Sequence, residues 1–325
     1  MPEFRILSLN KKKFIYKQQI EFQNKKAMGW DPEQRRHCKQ MKHKFYQGKF
    51  LLLAEIEPPK GSNASGMIKA ANSVKGKVDA FVIPEMNSAV MRMSSLGGAS
   101  VLNFQGLPCI MQICCRDRNR LALQADLLAA NACGVSTILA VNGEEVKQGD
   151  HPQSQEVYDL NITSLLQTVQ TLQSGRDLAG IQLSGSPDFL VGSRLNTTVE
   201  QDTLQIESRE FELKSESGAE FFITPSVFDV EELDKAINRA GVDRNKIIPS
   251  VLLLKSGGMA RYIEQKLSDV YIPSEVISRI RKAPDKEKEG VTIASEMIQE
   301  LRSAGYAGAN IVTLGWEDKL PYILS

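Results

Sequence analysis

LLLAEIEPP, residues 51–59, is the stretch from which the rest of the chain can be read. Alternation with a period of two puts Leu52, Ala54 and Ile56 on one side of a strand and Leu51, Leu53 and Glu55 on the other. The wholly apolar side suits packing against helices, so Glu55 points the other way, and Pro58 and Pro59 stop the strand just beyond it. Further apolar runs follow at Asp79–Pro84, Pro108–Cys114, Thr137–Asn142, Leu178–Leu183, Glu220–Thr224, Lys246–Leu254 and Ala309–Leu314. Together they make eight expected strands, rich in the residues of buried parallel sheets. Helix-like segments lie between them. Leu121, Ala125, Leu128 and Ala132 share one expected helical face. Asp229 and Glu232 have capping-box spacing ahead of the stripe Val230, Leu233, Ile237 and Ala240. Eight alternating units with no GxGxxG after the first strand predict a closed (β/α)8 TIM barrel, in which chemistry collects where strands end and βα-loops begin.

That rule selects the candidate site. Glu55, held partly desolvated at the mouth of strand one, would have a raised pKa and could act as a general acid near neutral pH; a Glu paired with a cation across the barrel is the alternative. Strand four ends in Asn142, Gly143 and Glu144, and a glycine there lets backbone approach a flat ligand. Strand three runs into Arg116, Asp117 and Arg118, which read as a solvated helix start with Asp117 as its cap. The 145–155 loop is longer than most βα connections, as functional loops often are.

Composition fits a soluble globular protein: 42% hydrophobic and 24% charged, with no run long enough to span a membrane. The first ten residues lack a secretory signal layout, so a cytoplasmic location is expected. Five cysteines without a CxxC pair suggest free thiols, and three histidines without HExxH spacing point to no metal site. Charge is uneven. Residues 1–50 carry 13 Lys/Arg against 4 Asp/Glu, and the remainder 27 against 35. Residues 1–45 therefore read as a basic N-terminal extension, and 46–325 as the barrel. Such an arm suits docking on the body or on an acidic partner. No nucleic-acid signature accompanies it.

Beyond these patterns, AEIEPPKG (54–61), CRDRN (115–119), ILAVNGE (138–144) with GDHP (149–152), VYDLNITSLL (157–166), FLVGSRLN (189–196), KSESGAEFFITPSVFD (214–229) and VTLGWEDKLPYIL (312–324) resemble, in order, blocks of the methylenetetrahydrofolate reductase family. The resemblance implies a barrel holding a flavin, FAD or alternatively FMN, reduced by NAD(P)H or by a protein electron donor, that passes a hydride to the methylene group of a reduced folate or related pterin. It implies that Glu55 is the general acid, that Glu144 stands where the family usually has an Asp, that Asn142, Gly143 and Tyr158 line the flavin, and that Lys214 contacts its phosphates. It also implies a homo-oligomer or a subunit of a complex. Three positions depart from the pattern: Gln112 stands where a His is common among flavin contacts, Pro84 replaces a Thr, and Pro225 replaces a pterin-binding Gln. These departures keep open a flavin-independent folate-linked methyl-transfer enzyme or a non-catalytic subunit.

Overall fold

The computed structural model describes residues 40–325 apart from residue 202. Eight parallel strands close into a barrel: β1 (Leu51–Glu55), β2 (Ala80–Ile83), β3 (Cys109–Cys114), β4 (Thr137–Val141), β5 (Leu190–Arg194), β8 (Phe221–Ser226), β9 (Ile247–Leu252) and β10 (Gly308–Val312). β1 pairs with β2 on one side and β10 on the other, which completes the ring. An antiparallel hairpin, β6 (Thr197–Glu200) and β7 (Thr203–Ile206), is inserted after β5. The expected (β/α)8 architecture is the observed one.

The alternation read from strand one holds. Leu51 and Leu53 lie in the cluster inside the barrel with Val82, Ile110, Leu139 and Phe221, whereas Ala54 and Ile56 belong to the layer between strands and helices. The interior is therefore a packed core, not a channel.

The fifth strand is a correction. Leu178–Leu183, expected as a strand, is a surface turn closed by a bridge between Arg176 and Gln182, with Leu178 and Ile181 exposed. The strand is Leu190–Arg194, whose Gly192 and Ser193 lower its apparent propensity. Gly192 is required by packing: a Cβ there would lie 2.3 Å from the Phe221 ring, which fills the barrel interior. A second correction concerns the helix Arg120–Ala132. Its buried stripe is Leu123, Leu127 and Ala130, two residues out of phase with the expected face, and Leu121 is exposed. In the helix Val230–Ala240 the expected Val230, Leu233 and Ile237 are buried and Ala240 is partly buried, and Asp229 caps the helix by accepting from the Glu232 N–H at 2.9 Å.

Residues 40–46, most of which the sequence reading assigns to the basic extension, form a helix that closes the N-terminal end of the barrel. Met41 is fully buried inside the barrel cluster, and Phe45 meets Phe221 edge-on at 5.9 Å. Lys42 pairs with Asp188, and Tyr46 donates to Glu220 at 2.6 Å. The rest of the extension, and Cys38, lie outside the described residues. Met41→Ala should cost about 2–5 kcal/mol, the range for emptying a buried Met site, measured by denaturant unfolding. A Met41→Ala midpoint equal to wild type would mean that the helix is not part of the barrel's packing.

Candidate active site at the C-terminal mouth

Glu55 is the last residue of β1, faces inward and is buried. One oxygen, Oε1, accepts a hydrogen bond from Asn87 Nδ2 at 3.1 Å. Burial pushes its carboxyl up to about 7; the charge of Arg194 and the Asn87 hydrogen bond pull the other way, while Glu57 and Glu144 add to the rise. Desolvation wins, so the acid keeps its proton to near neutrality.

Asn87 is delivered by a strained loop. Met86, Ser88 and Ala89 all have left-handed backbone, with φ of 49°, 54° and 54°, which non-glycine residues seldom adopt. Neighbouring loops hold it in place. Asp150 accepts from the Met91 N–H at 2.9 Å and pairs with Lys60, and a Cβ at Gly149 would overlap the Ala89 carbonyl oxygen. The loops after β1, β2 and β4 are thereby tied together over the mouth.

A cavity of about 280 Å³ opens beside Glu55's partner Asn87; Gln112, Asn142, Gly143, Glu144, Arg194 and Lys214 are among its lining residues. Five of the expected site residues thus meet in one place. Gln112 is buried, and its Oε1 accepts from the Glu85 N–H at 2.9 Å. Gly143, at φ 91°, is held against the protein itself: a Cβ would lie 2.4 Å from Cys114 Sγ. Glu144 is half-exposed and faces two guanidinium groups, those of Arg116 and Arg194, each at 3.9 Å. Lys214 is buried, 2.6 Å from Glu210, and donates to the Arg194 carbonyl at 2.8 Å. Tyr158 is outside the lining but touches it, its hydroxyl 3.4 Å from the Gly143 carbonyl.

The reading of Arg116–Arg118 as a solvated helix start is overturned. Arg116 is fully buried, bonds both oxygens of Asp117 at 2.7 and 2.9 Å, and donates to the Glu144 carbonyl at 2.9 Å. It fixes the backbone of the loop that carries Gly143 and Glu144. The cap of the following helix is Asn119, which accepts from the Ala122 N–H at 3.0 Å. Arg118 reaches Glu85 at 3.1 Å and Asp126 at 2.8 Å, and Glu85 in turn accepts from the Ser95 N–H at a helix start. Sequence reasoning missed Glu85, Asn87, Arg116 and Arg194. For Arg194 a signal existed, since Leu190, Gly192 and Arg194 alternate as Leu51, Leu53 and Glu55 do. For Asn87, on an irregular loop, none did.

Because the carboxyl binds its proton more tightly in the folded chain than at its ordinary value near 4.5, the folded state loses stability as pH rises from about 4.5 to 7. Above that window the loss amounts to about 3 kcal/mol. Glu55→Gln removes the titration. Its stability, followed by urea unfolding from pH 5 to 8, should lack the decline seen in wild type and exceed wild type at pH 8. Parallel curves for the two proteins would show that Glu55 is not a desolvated acid.

A family model described as Methylenetetrahydrofolate reductase matches residues 40–325. The curated Methylenetetrahydrofolate reductase 1 of Schizosaccharomyces pombe (strain 972 / ATCC 24843) is 23% identical over 225 residues, which is 66% of this chain and 34% of that protein. The chain thus spans about a third of that relative's length. Among solved structures, a 2,3-dimethylmalate lyase of the PEP mutase/isocitrate lyase superfamily aligns with a TM-score of 0.46 at 10% identity, covering 85% of this chain and 80% of that one. Oxaloacetate acetylhydrolase in complex with oxalate aligns with a TM-score of 0.49 at 9% identity, covering 84% and 80%.

Proposed function

The chain belongs to the methylenetetrahydrofolate reductase family, matched over residues 40–325, and from that premise we propose that it reduces a methylene-carrying reduced folate to its 5-methyl form, with Glu55 as the proton donor. The observation behind the reading is the buried, inward-facing carboxyl of Glu55, protonated to about pH 7 beside the cavity at the barrel mouth. A methylene bridge between two nitrogens opens when one nitrogen is protonated and leaves, which places a cation on the other. A neutral carboxylic acid is suited to that first step. The side chain of Glu144, in the cavity lining, would favour the developing positive charge.

The donor set fits a flavin ring. The cavity offers the side-chain amide of Asn142, the backbone of Gly143, and the amide nitrogen of Gln112, which among the described residues has no acceptor. Bound there, a flavin would supply the hydride; the residues of the chain orient it and exclude water. Asn142, Gly143, Gln112 and Tyr158 would hold the ring, and Lys214 a phosphate once its bond to Glu210 is exchanged. FAD and FMN both present that phosphate, and NAD(P)H or a protein donor would reduce them. The engagement of Lys214 by Glu210 favours a second reading, a folate-linked methyl-transfer enzyme that works without flavin.

Flavin titration separates the two. The purified chain should take up FAD or FMN, and failure to bind either would leave the second reading. With flavin bound, Glu55→Gln should reoxidise with methylene-folate about 10²–10⁴ times more slowly, the usual contribution of a general acid. Reduction by the electron donor needs no proton from Glu55 and should be unchanged. Stopped-flow absorbance of each half-reaction measures the split, and equal slowing of both would remove Glu55 from the protonation step.

A further inference from the structure

Arg194 ends β5 on the inward face, by the same alternation that turns Leu190 and Gly192 into the barrel. In the closed strand order β5 lies four strands from β1 in either direction, so Arg194 stands across the mouth from Glu55. Its backbone is fixed, paired with Ile223 of β8 and accepting a hydrogen bond from Lys214 Nζ at 2.8 Å. Its side chain is not. A guanidinium carries five N–H donors. Among the described residues none of the five has an acceptor within hydrogen-bonding distance: Nε is buried without a partner, and the Glu144 carboxylate, at 3.9 Å, is too far to accept. The other cations at this mouth are committed. Arg116 uses all three nitrogens, and Lys214 bonds a carboxylate and a carbonyl.

We infer that Arg194 is a further ligand-binding residue of the mouth, whose planar guanidinium receives the oxo-bearing edge of a fused pyrimidine ring lying between it and Glu55. The inference rests on the reading of the cavity as a flavin and folate site. The Arg194 side chain is 40% exposed, so its outer N–H groups face solvent, but Nε is buried without an acceptor; a buried N–H left so is costly, and a ligand in the mouth that supplies an acceptor relieves that cost. A free anion is the poorer candidate, because Glu144 would repel it. A neutral ring carbonyl with an adjacent ring nitrogen meets the guanidinium edge to edge without that repulsion. Both the flavin and the pterin carry such an edge.

Truncated ligands isolate this contact from phosphate and glutamate tails. Riboflavin and 6-methyltetrahydropterin should each be titrated into wild type, Arg194→Lys, Arg194→Gln and the double variant Arg194→Gln/Glu144→Gln. Arg194→Gln should weaken one of the two rings about 10- to 100-fold, as loss of a charge-assisted hydrogen bond does, and the ring affected identifies the source. Arg194→Lys should recover part of the loss, since an ammonium keeps the charge but not the fork. Thermal midpoints should not fall below the wild-type value, because the side chain makes no hydrogen bond to lose and its buried Nε–H goes unpaired. If Arg194→Gln binds both rings as wild type does, the inference falls and the reading of the site survives. Full restoration in the double variant would overturn it too, reducing Arg194 to a neutraliser of Glu144. Wild type that binds neither ring would sink the reading of the cavity and the inference together.

Discussion

Taking a carboxyl out of water at the end of a strand is costly unless the group stays neutral, and the mouth of this barrel is arranged around that cost at Glu55. Its position follows from strand alternation, which leaves only the inward face for it. Its proton follows from burial, because the nearby guanidinium of Arg194 and the amide of Asn87 only partly offset the desolvation. A closer cation would have ionised the group. The barrel instead holds Arg194 on the opposite strand, and no arginine bonds the Glu55 carboxyl among the described residues.

Holding such an acid requires rigid surroundings, and the loops supply them. Three left-handed non-glycine residues around Asn87 would relax if nothing constrained them. The constraint comes from the 145–155 loop, through Asp150 on the Met91 amide and the close packing of Gly149 on Ala89. That same loop begins at the turn fixed by Arg116 and by the contact of Gly143 with Cys114. Glu55's partner and Glu144 are thus positioned by one connected piece of backbone, and a change at Gly143 or Gly149 reaches both.

What could be read in the sequence was what regular periodicity encodes. β1 announced its two faces because its outward side is wholly apolar and its inward side ends in a single charge. β5 did not, because the Phe221 ring demands Gly192, and a Gly-Ser pair reads as a turn when the ring is unseen. Misplacing that strand hid Arg194, the inward cation opposite Glu55. Arg116 was misread for a different reason. In sequence, an RDR run between strand and helix reads as solvated, and only the backbone of the next loop, 28 residues away, shows why an arginine is buried there. The phase of the helix Arg120–Ala132 was lost because Leu and Ala occupy both of its faces, so composition left two stripes nearly equivalent.

The two acidic residues of the mouth illustrate how one fold separates roles for chemically similar groups. Glu55 is enclosed, with one amide donor and no direct cation, and keeps its proton. Glu144 is half-exposed, with the guanidinium groups of Arg116 and Arg194 each 3.9 Å away. In the proposed reaction Glu55 protonates a nitrogen while Glu144, in the lining of the adjoining cavity, faces the positive charge that develops on a neighbouring carbon. The departure at Glu144, one methylene longer than an aspartate, is accommodated because its backbone is set by the Arg116 side chain and its carboxylate lies within reach of both guanidinium groups without bonding either.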